Sequence, residues 1–318
     1  MFPKGNTPAF LCGHTFPQFR NGIPWRLPMK IVFATYAGHP GISIDDALAA
    51  NELQRLGYEV EAQRWDDTEV DWSSYAAVIP RMTWDYHERV GEFETWLEKL
   101  DMSGARVLNS LALLRWNIRK TYLAELANHG VPVVPTQWHE SGYGAAETII
   151  QEITGLPPAS EWILKPIISA GAYQTLKIRA ADVRLYQSEI ENLVALGTVM
   201  QQPFLNEIAE RGEWSLYYFD GKLAHAVHKK PKSGDFRVQP EHGGSTEART
   251  PTSELIRIAE ATVHAAPSMP TYARVDLVEL ASGPHLMELE LIEPNLFLRI
   301  APESAAKEFA LAVVRGIT

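Results

Sequence analysis

The segment RVDLVELASGPHLMELELIEPNLF (residues 274–297) sets charged side chains at alternate positions on two strand-like runs separated by Ser282-Gly283. Side chains two apart share one face of a strand, so Arg274 and Asp276 point together, as do Glu288 and Glu290. If the runs pair across the turn, three carboxylates converge beside one guanidinium. Like charges that close repel unless a cation lies between them, and an all-oxygen donor set suits magnesium. A solvated sheet face explains one such strand equally well. Two of them, joined by a short turn and carrying an arginine on the polar face, favour a metal site.

Other residues point toward an anionic ligand. Lys165 sits inside the apolar run WILKPI (162–167), where a lysine needs an anionic partner. The small-residue loop ISAGAYQT (168–175) follows it; such a loop can wrap phosphates with backbone N–H groups, although a simple turn has the same composition. In GEWSLYYFDGKLAHAVHKK, strand alternation sends Lys229 and Lys230 to opposite faces, so Lys229 can face an anionic ligand while Lys230 faces elsewhere. Arg81, Trp84, Asp85 and Tyr86 come directly after a strand signal, where α/β sheets present ligand-binding loops; packing accounts for Trp84 and Tyr86 equally. The ten histidines form no zinc pattern, and neither a Gly-x-Ser-x-Gly elbow nor a Walker lysine loop is present.

The elements that must position these groups follow from periodicity. Strand signals at 31–36, around 60, at 76–80 and at 106–109 alternate with helix signals at 43–56 and 90–100, which predicts a small parallel α/β sheet. A second unit opens with a helix through LLRWNIRKTYLAELANHG and continues through strands at 131–136 and 162–167. A third carries strands at 198–202, 214–219, 223–228, 272–280 and 285–291 and a helix at 253–266. Turns such as Asp220-Gly221 make its sheet antiparallel. The fold class is therefore α/β, with α+β character in the C-terminal part. The expected domains are an irregular extension at 1–28, a substrate-side domain at 29–109, a central lobe at 110–197 and a C-terminal lobe at 198–318. The proline-rich extension precedes Met29, so a start codon assigned too early explains it; a lid or partner-binding arm is the sharper reading.

A lysine-bearing helix, a lysine strand before a small-residue loop, a strand ending in Gln-Pro-Phe, and then Asp followed by Glu-x-Glu occur in the order typical of ATP-grasp enzymes. The chain resembles that superfamily over roughly residues 109–300. The strings NSLALLRWNIRKTYL, GVPVVPT and ELELIEP are most similar to the branch containing the O-ureido-D-serine cyclo-ligase of D-cycloserine biosynthesis, with a glutathione-synthetase-like ATP-binding domain. The resemblance implies ATP as substrate and two magnesium ions, replaceable by manganese, held by Asp276, Glu288 and Glu290. Many relatives have Glu-x-Asn where this chain has Glu288-Leu289-Glu290; the change keeps an oxygen donor. Lys120, otherwise an ordinary helix lysine, and Lys165 are the implied phosphate lysines, with Lys229 turned toward the nucleotide. Gln202 and Phe204 are the implied adenine hinge, and Glu207 the ribose contact. Arg237 and Arg274 are the implied catalytic arginines, since guanidinium matches phosphoryl and carboxylate oxygens. The N-terminal domain is implied to hold an amino-acid-like substrate.

The implied reaction is ATP-dependent carboxylate–amine ligation through an acyl phosphate. Ring closure, intermolecular dipeptide or glutathione-synthetase-like ligation, and a non-catalytic ATP-binding regulatory module remain alternatives. A net charge of −10 without a basic face excludes a general nucleic-acid binder. The single cysteine, Cys12, excludes a disulfide framework and fits a reducing cytoplasm, and no apolar run is long enough to span a bilayer. The sequence is compatible with a monomer or a homodimer.

Overall fold

The computed structural model describes residues 29–171, 173–232 and 243–318, so the expected extension at 1–28 and Arg237 lie outside the described residues. Three sheets organise the chain. The first has order β2-β1-β3, from β1 (Lys30–Thr35), β2 (Glu59–Arg64) and β3 (Ala77–Met82), all parallel. β1 and β3 are almost wholly buried because both faces are covered, as parallel strands require. Helices α1 (Asp46–Arg55) and α9 (Ser304–Ile317) cover one face through Leu53, Phe309 and Val313. Helix α2 (Val90–Ser103) covers the other through Phe93, Trp96 and Leu97. The strand expected at 106–109 is reduced to a bridge between Val107 and Val78.

The second sheet is antiparallel, with order β4-β7-β5-β6, from β4 (Gln137–His139), β5 (Glu161–Pro166), β6 (Leu176–Arg179) and β7 (Val199–Pro203). Helices α5 (Ala145–Thr154) and α6 (Gln187–Leu196) pack Ile149, Ile153, Ile190 and Leu193 on it. β7 belongs to this sheet, so the unit runs past the boundary expected at 197. The short α7 (Asn206–Arg211) follows.

The third sheet has order β10-β9-β8-β11-β12 and is also antiparallel. Its strands are β8 (Glu213–Phe219), β9 (Lys222–Lys230), β10 (Ser245–Ala248), β11 (Tyr272–Leu280) and β12 (Gly283–Glu290). Asp220 and Gly221 both have positive φ, 51° and 73°, which the tight β8–β9 turn demands and which glycine adopts without a Cβ penalty. Leu216, Val275, Leu277 and Leu289 bury one face under α8 (Ser253–Ala265) and under α3 (Leu111–Asn117) and α4 (Tyr122–Asn128). Alternate residues of the same strands, including Glu213, Asp276 and Glu288, face the other way.

Two expected elements differ for identifiable reasons. The long helix at 113–130 is broken into α3 and α4 because the Lys120 N–H donates to Ile167 O at 2.8 Å, docking the break on the end of β5. These two helices pack on the five-stranded sheet rather than within the central lobe to which sequence assigned them. The strand expected at 131–136 does not form, since Pro132 and Pro135 have no N–H for a ladder. Only Val133 bridges to Leu286, with Leu286 N donating to Pro132 O and Val134 N to Leu286 O. Among the described residues, no helix is long and apolar enough to cross a membrane.

Candidate active site

A cleft of about 470 Å³ opens between the four- and five-stranded sheets and is closed on one side by the loop after β3. The register of β11 and β12 builds its floor: Asp276 lies opposite Glu288, and Arg274 opposite Glu290. Oxygen atoms of Asp276, Glu288 and Glu290 lie within 4.8 Å of one another. Arg274 donates from Nε to both Asp276 oxygens at 3.1 Å, from Nη2 to Oδ2 at 2.9 Å, and also to Glu290. Ser215 donates to Asp276, and Lys229 Nζ stands 3.7 Å from it while pairing with Glu213. Lys120 Nζ lies 2.7 Å from Glu288 and donates to Ser169 O at 2.7 Å.

This crowding sets the protonation of the floor. Burial pushes the Asp276 carboxyl up, but Arg274 and Lys229 together hold it below its ordinary value. Burial likewise opposes the charge on Glu288, and Lys120 and Lys165 outweigh it. Glu290 is pushed up to about 7 by burial, against Arg274 and with the neighbouring Glu288 and Asp276 charges. Lys229 is held above its ordinary value: burial acts against the ammonium, and Asp276 and Glu213 more than offset it. Lys165 is different. Its ammonium lines the cleft with no hydrogen bond or ion pair to a described residue, and burial lowers it to about 8.

The apolar end of the cleft is formed by Val134, Ile163, Leu205, Ile208 and Met287 around Gln202, Pro203 and Phe204. Gln202 is fixed by donating to Thr136 Oγ1 at 2.9 Å. The far end holds Trp84, Tyr86 and His87 from the N-terminal domain. Tyr86 is buried, and burial with nearby carboxylates holds its phenol well above its ordinary value. His87 meets Tyr173 edge-on at 4.9 Å between ring centres, and burial lowers its ring below the ordinary value.

The sequence-selected residues are therefore distributed unequally. Lys120, Lys165, Gln202, Phe204, Lys229, Arg274, Asp276, Glu288, Glu290, Trp84 and Tyr86 all line the cleft. Arg81, Asp85 and Glu207 are not among its lining residues. Arg81 was expected among the substrate contacts; it is instead 2% exposed, donating to Asp46 at 2.9 Å and to Pro294 O at 2.8 Å. Asp85 accepts from Trp65 Nε1 at 2.8 Å and pairs with Arg89. Sequence reasoning did not single out Asn117, which holds the end of β12 by donating to Leu289 O and accepting from Leu291 N, both at 2.8 Å. An asparagine within the apolar start of a helix was the available signal.

The comparisons with known proteins agree with this layout. Residues 31–109 match the family described as D-cycloserine synthetase DcsG, N-terminal domain, and residues 147–280 match prokaryotic glutathione synthetase, ATP-grasp domain. The chain is 33% identical over 279 residues to the cycloserine biosynthesis protein DcsG of Streptomyces lavendulae, covering 82% of this chain and 90% of that one. It is 26% identical over 272 residues to the glutathione synthetase of Nitrosomonas europaea, covering 83% and 74%. The crystal structure of D-cycloserine synthetase DcsG superposes with a TM-score of 0.82 at 29% identity over 91% of this chain and all of that one. The D-alanine–D-alanine ligase of Bacillus anthracis shares the fold, with a TM-score of 0.64 at 14% identity over 92% of this chain and 97% of that one. With its parallel N-terminal sheet joined to two antiparallel sheets that enclose the cleft, the chain belongs to the DcsG family of ATP-grasp ligases, enzymes that use ATP to form carbon–nitrogen bonds.

Proposed function

We propose that the protein transfers the γ-phosphoryl group of ATP to the carboxylate of an amino-acid-like substrate, and that a nitrogen then displaces phosphate from the acyl carbon. The observation that carries this reading is Lys165: a largely enclosed ammonium with no hydrogen bond or ion pair to a described residue, facing a floor of three carboxylates across one cleft. A polyphosphate satisfies that lysine, and an adenine fits the apolar end between Ile163, Met287 and the Gln202–Phe204 hinge. Lys120 and Lys229 adjoin the same path. The N-terminal side, with Trp84 and Tyr86, receives the second substrate.

The donor set fits magnesium, because Asp276, Glu288 and Glu290 offer only oxygen and lie close enough to share hard cations. When bound there, magnesium neutralises phosphate charge and helps orient the γ-phosphoryl group. The protein's own contribution is positioning and charge. Arg274, locked by Asp276 and Glu290, presents its guanidinium to the oxyanions of the reacting groups. A substrate carboxylate oxygen attacks the γ-phosphorus, the bond to the bridging oxygen breaks, and ADP leaves. The substrate nitrogen then attacks the acyl carbon, loses its proton to solvent, and inorganic phosphate departs. The greater identity to DcsG than to glutathione synthetase favours a nitrogen of the same molecule, hence ring closure.

Replacement of Lys165 tests the nucleotide assignment. Lys165→Gln is expected to weaken ATP binding at pH 7.5 by about 10- to 100-fold, the range for a lost charge-assisted hydrogen bond. In the native protein the lysine is lowered to about 8, so its charge is mostly present below that pH and lost above it. ATP affinity should therefore fall by about tenfold from pH 7.5 to 9, and the variant should lose this dependence. Calorimetric titration reads both. An unaltered affinity in the variant would remove Lys165 from the phosphate path.

A further inference from the structure

After β12 the chain leaves the sheet as residues 291–298, with no strand partner among the described residues to satisfy its backbone. Side chains from several separate segments take that role. Asn109 Nδ2 donates to Leu291 O at 2.8 Å, Tyr272 Oη to Ile292 O at 2.9 Å and Trp84 Nε1 to Glu293 O at 3.3 Å. Arg81 Nη2 donates to Pro294 O at 2.8 Å, and His225 Nε2 to Leu296 O at 2.9 Å. Buried backbone acceptors are seldom left unpaired, and here their pairing fixes the direction of an otherwise irregular strip.

The consequence is a two-residue alternation. Ile292, Pro294, Leu296 and Leu298 are buried, whereas Glu293, Asn295 and Phe297 are partly open and line the cleft. Phe297 has φ 51°, and its N–H donates to Asn295 Oδ1 at 3.0 Å. That bond commits the Asn295 oxygen and leaves its amide N–H groups to the cleft. A bulky residue held in the left-handed region at a site is the kind of strain that surrounding structure must enforce. Five held carbonyls enforce it here.

Glu293 is the unassigned group on this strip. Its carboxyl makes no hydrogen bond or ion pair with a described residue. The nearby cations have other partners: Lys120 holds Glu288, Arg274 holds Asp276 and Glu290, and Lys229 holds Glu213. Burial, with the Glu290 charge beside it, pushes this carboxyl up to about 8, so near neutral pH it takes on its charge when a cationic group arrives to pair with it. It also stands on the segment that Trp84 ties to the N-terminal domain. We infer that Glu293 is a specificity-determining residue that binds the ammonium group of the substrate, with the Asn295 amide beside it and the Phe297 ring bounding the site. The inference rests on the proposed ligase reading and adds that the substrate enters as a free amine.

The test uses Glu293→Gln in the full chain, which keeps the shape and removes the group's ability to ionise against an ammonium. The probes are D- and L-amino acids and their ureido derivatives, each paired with its N-acetyl counterpart. Native protein should prefer the free amine. In the variant the KM for the amine should rise at least about tenfold, the preference over the N-acetyl form should collapse, and Glu293→Asp should restore part of it. The KM for ATP, the magnesium titration and the melting temperature should stay put. An unchanged preference overturns the inference, as does a shift confined to magnesium dependence, which would make Glu293 a metal ligand, or a fall in melting temperature with every KM moved together. Native protein that consumes ATP with no carboxylate contradicts the ligase reading itself, a result distinct from any of these.

Discussion

Glu288→Gln is expected to lower turnover at saturating ATP by at least about a hundredfold, comparable to removing one preorganised electrostatic partner at a reacting centre. The side chain stands at the junction of the two charge systems: its carboxylate lies 2.7 Å from Lys120 Nζ, within 4.8 Å of Asp276 and Glu290 oxygens. Glutamine retains an oxygen but not the charge that holds a divalent cation, so more magnesium should be needed for half-maximal activity. Folding should suffer far less. Lys120 keeps its bond to Ser169 O, and the expected loss of about 1–3 kcal/mol is that of one charged hydrogen bond. Magnesium titration of ADP release separates the roles. If the titration midpoint is native and only stability falls, Glu288 serves as the counter-ion of Lys120 and the metal site must be placed elsewhere.

Asp46→Ala should produce the largest loss of stability, about 3–5 kcal/mol, although Asp46 lies away from the cleft. Asp46 and Arg81 are each 2% exposed, and Arg81 Nη1 already has no hydrogen-bond partner among the described residues. The guanidinium also lies 5.6 Å from the Tyr272 ring centre and 5.7 Å from that of Phe309, in the shared core of α1, α9 and the sheets. Removing the carboxylate strands a charge that water cannot reach. Removing both, as Asp46→Ala with Arg81→Met, should recover part of the loss by restoring an apolar fit, at the expense of the anchor on Pro294 O. Denaturant unfolding of the two variants reads this directly. A loss below about 1 kcal/mol in the single variant would show that the pair is not the lock described here.

The carboxylate-bearing hairpin was legible because strand alternation is a local rule: Arg274 with Asp276, and Glu288 with Glu290, occupy one face whatever the rest of the chain does. The turn then supplied the opposition of Asp276 to Glu288. Arg81 was read as part of the loop after a parallel strand, but it lies within β3 and does not line the cleft. Its partners, Asp46 and Pro294, lie 35 and 213 residues away, and no periodicity encodes them. The strip at 291–298 was obscure for the same reason: its backbone is held by Asn109, Tyr272, Trp84, Arg81 and His225, residues brought together only by the tertiary fold. The break at Lys120 also follows from a distant carbonyl, Ile167 O, overriding a local preference for a continuous helix.

The substrate carboxylate itself is expected to accept the γ-phosphoryl group. The most direct measurement is turnover of an amino-acid substrate labelled with heavy oxygen in its carboxylate, followed by mass analysis of the released phosphate and of the nucleotide. Acyl-phosphate chemistry predicts ADP together with inorganic phosphate carrying one labelled oxygen per product formed. AMP with pyrophosphate, or unlabelled phosphate released alongside product, would contradict it.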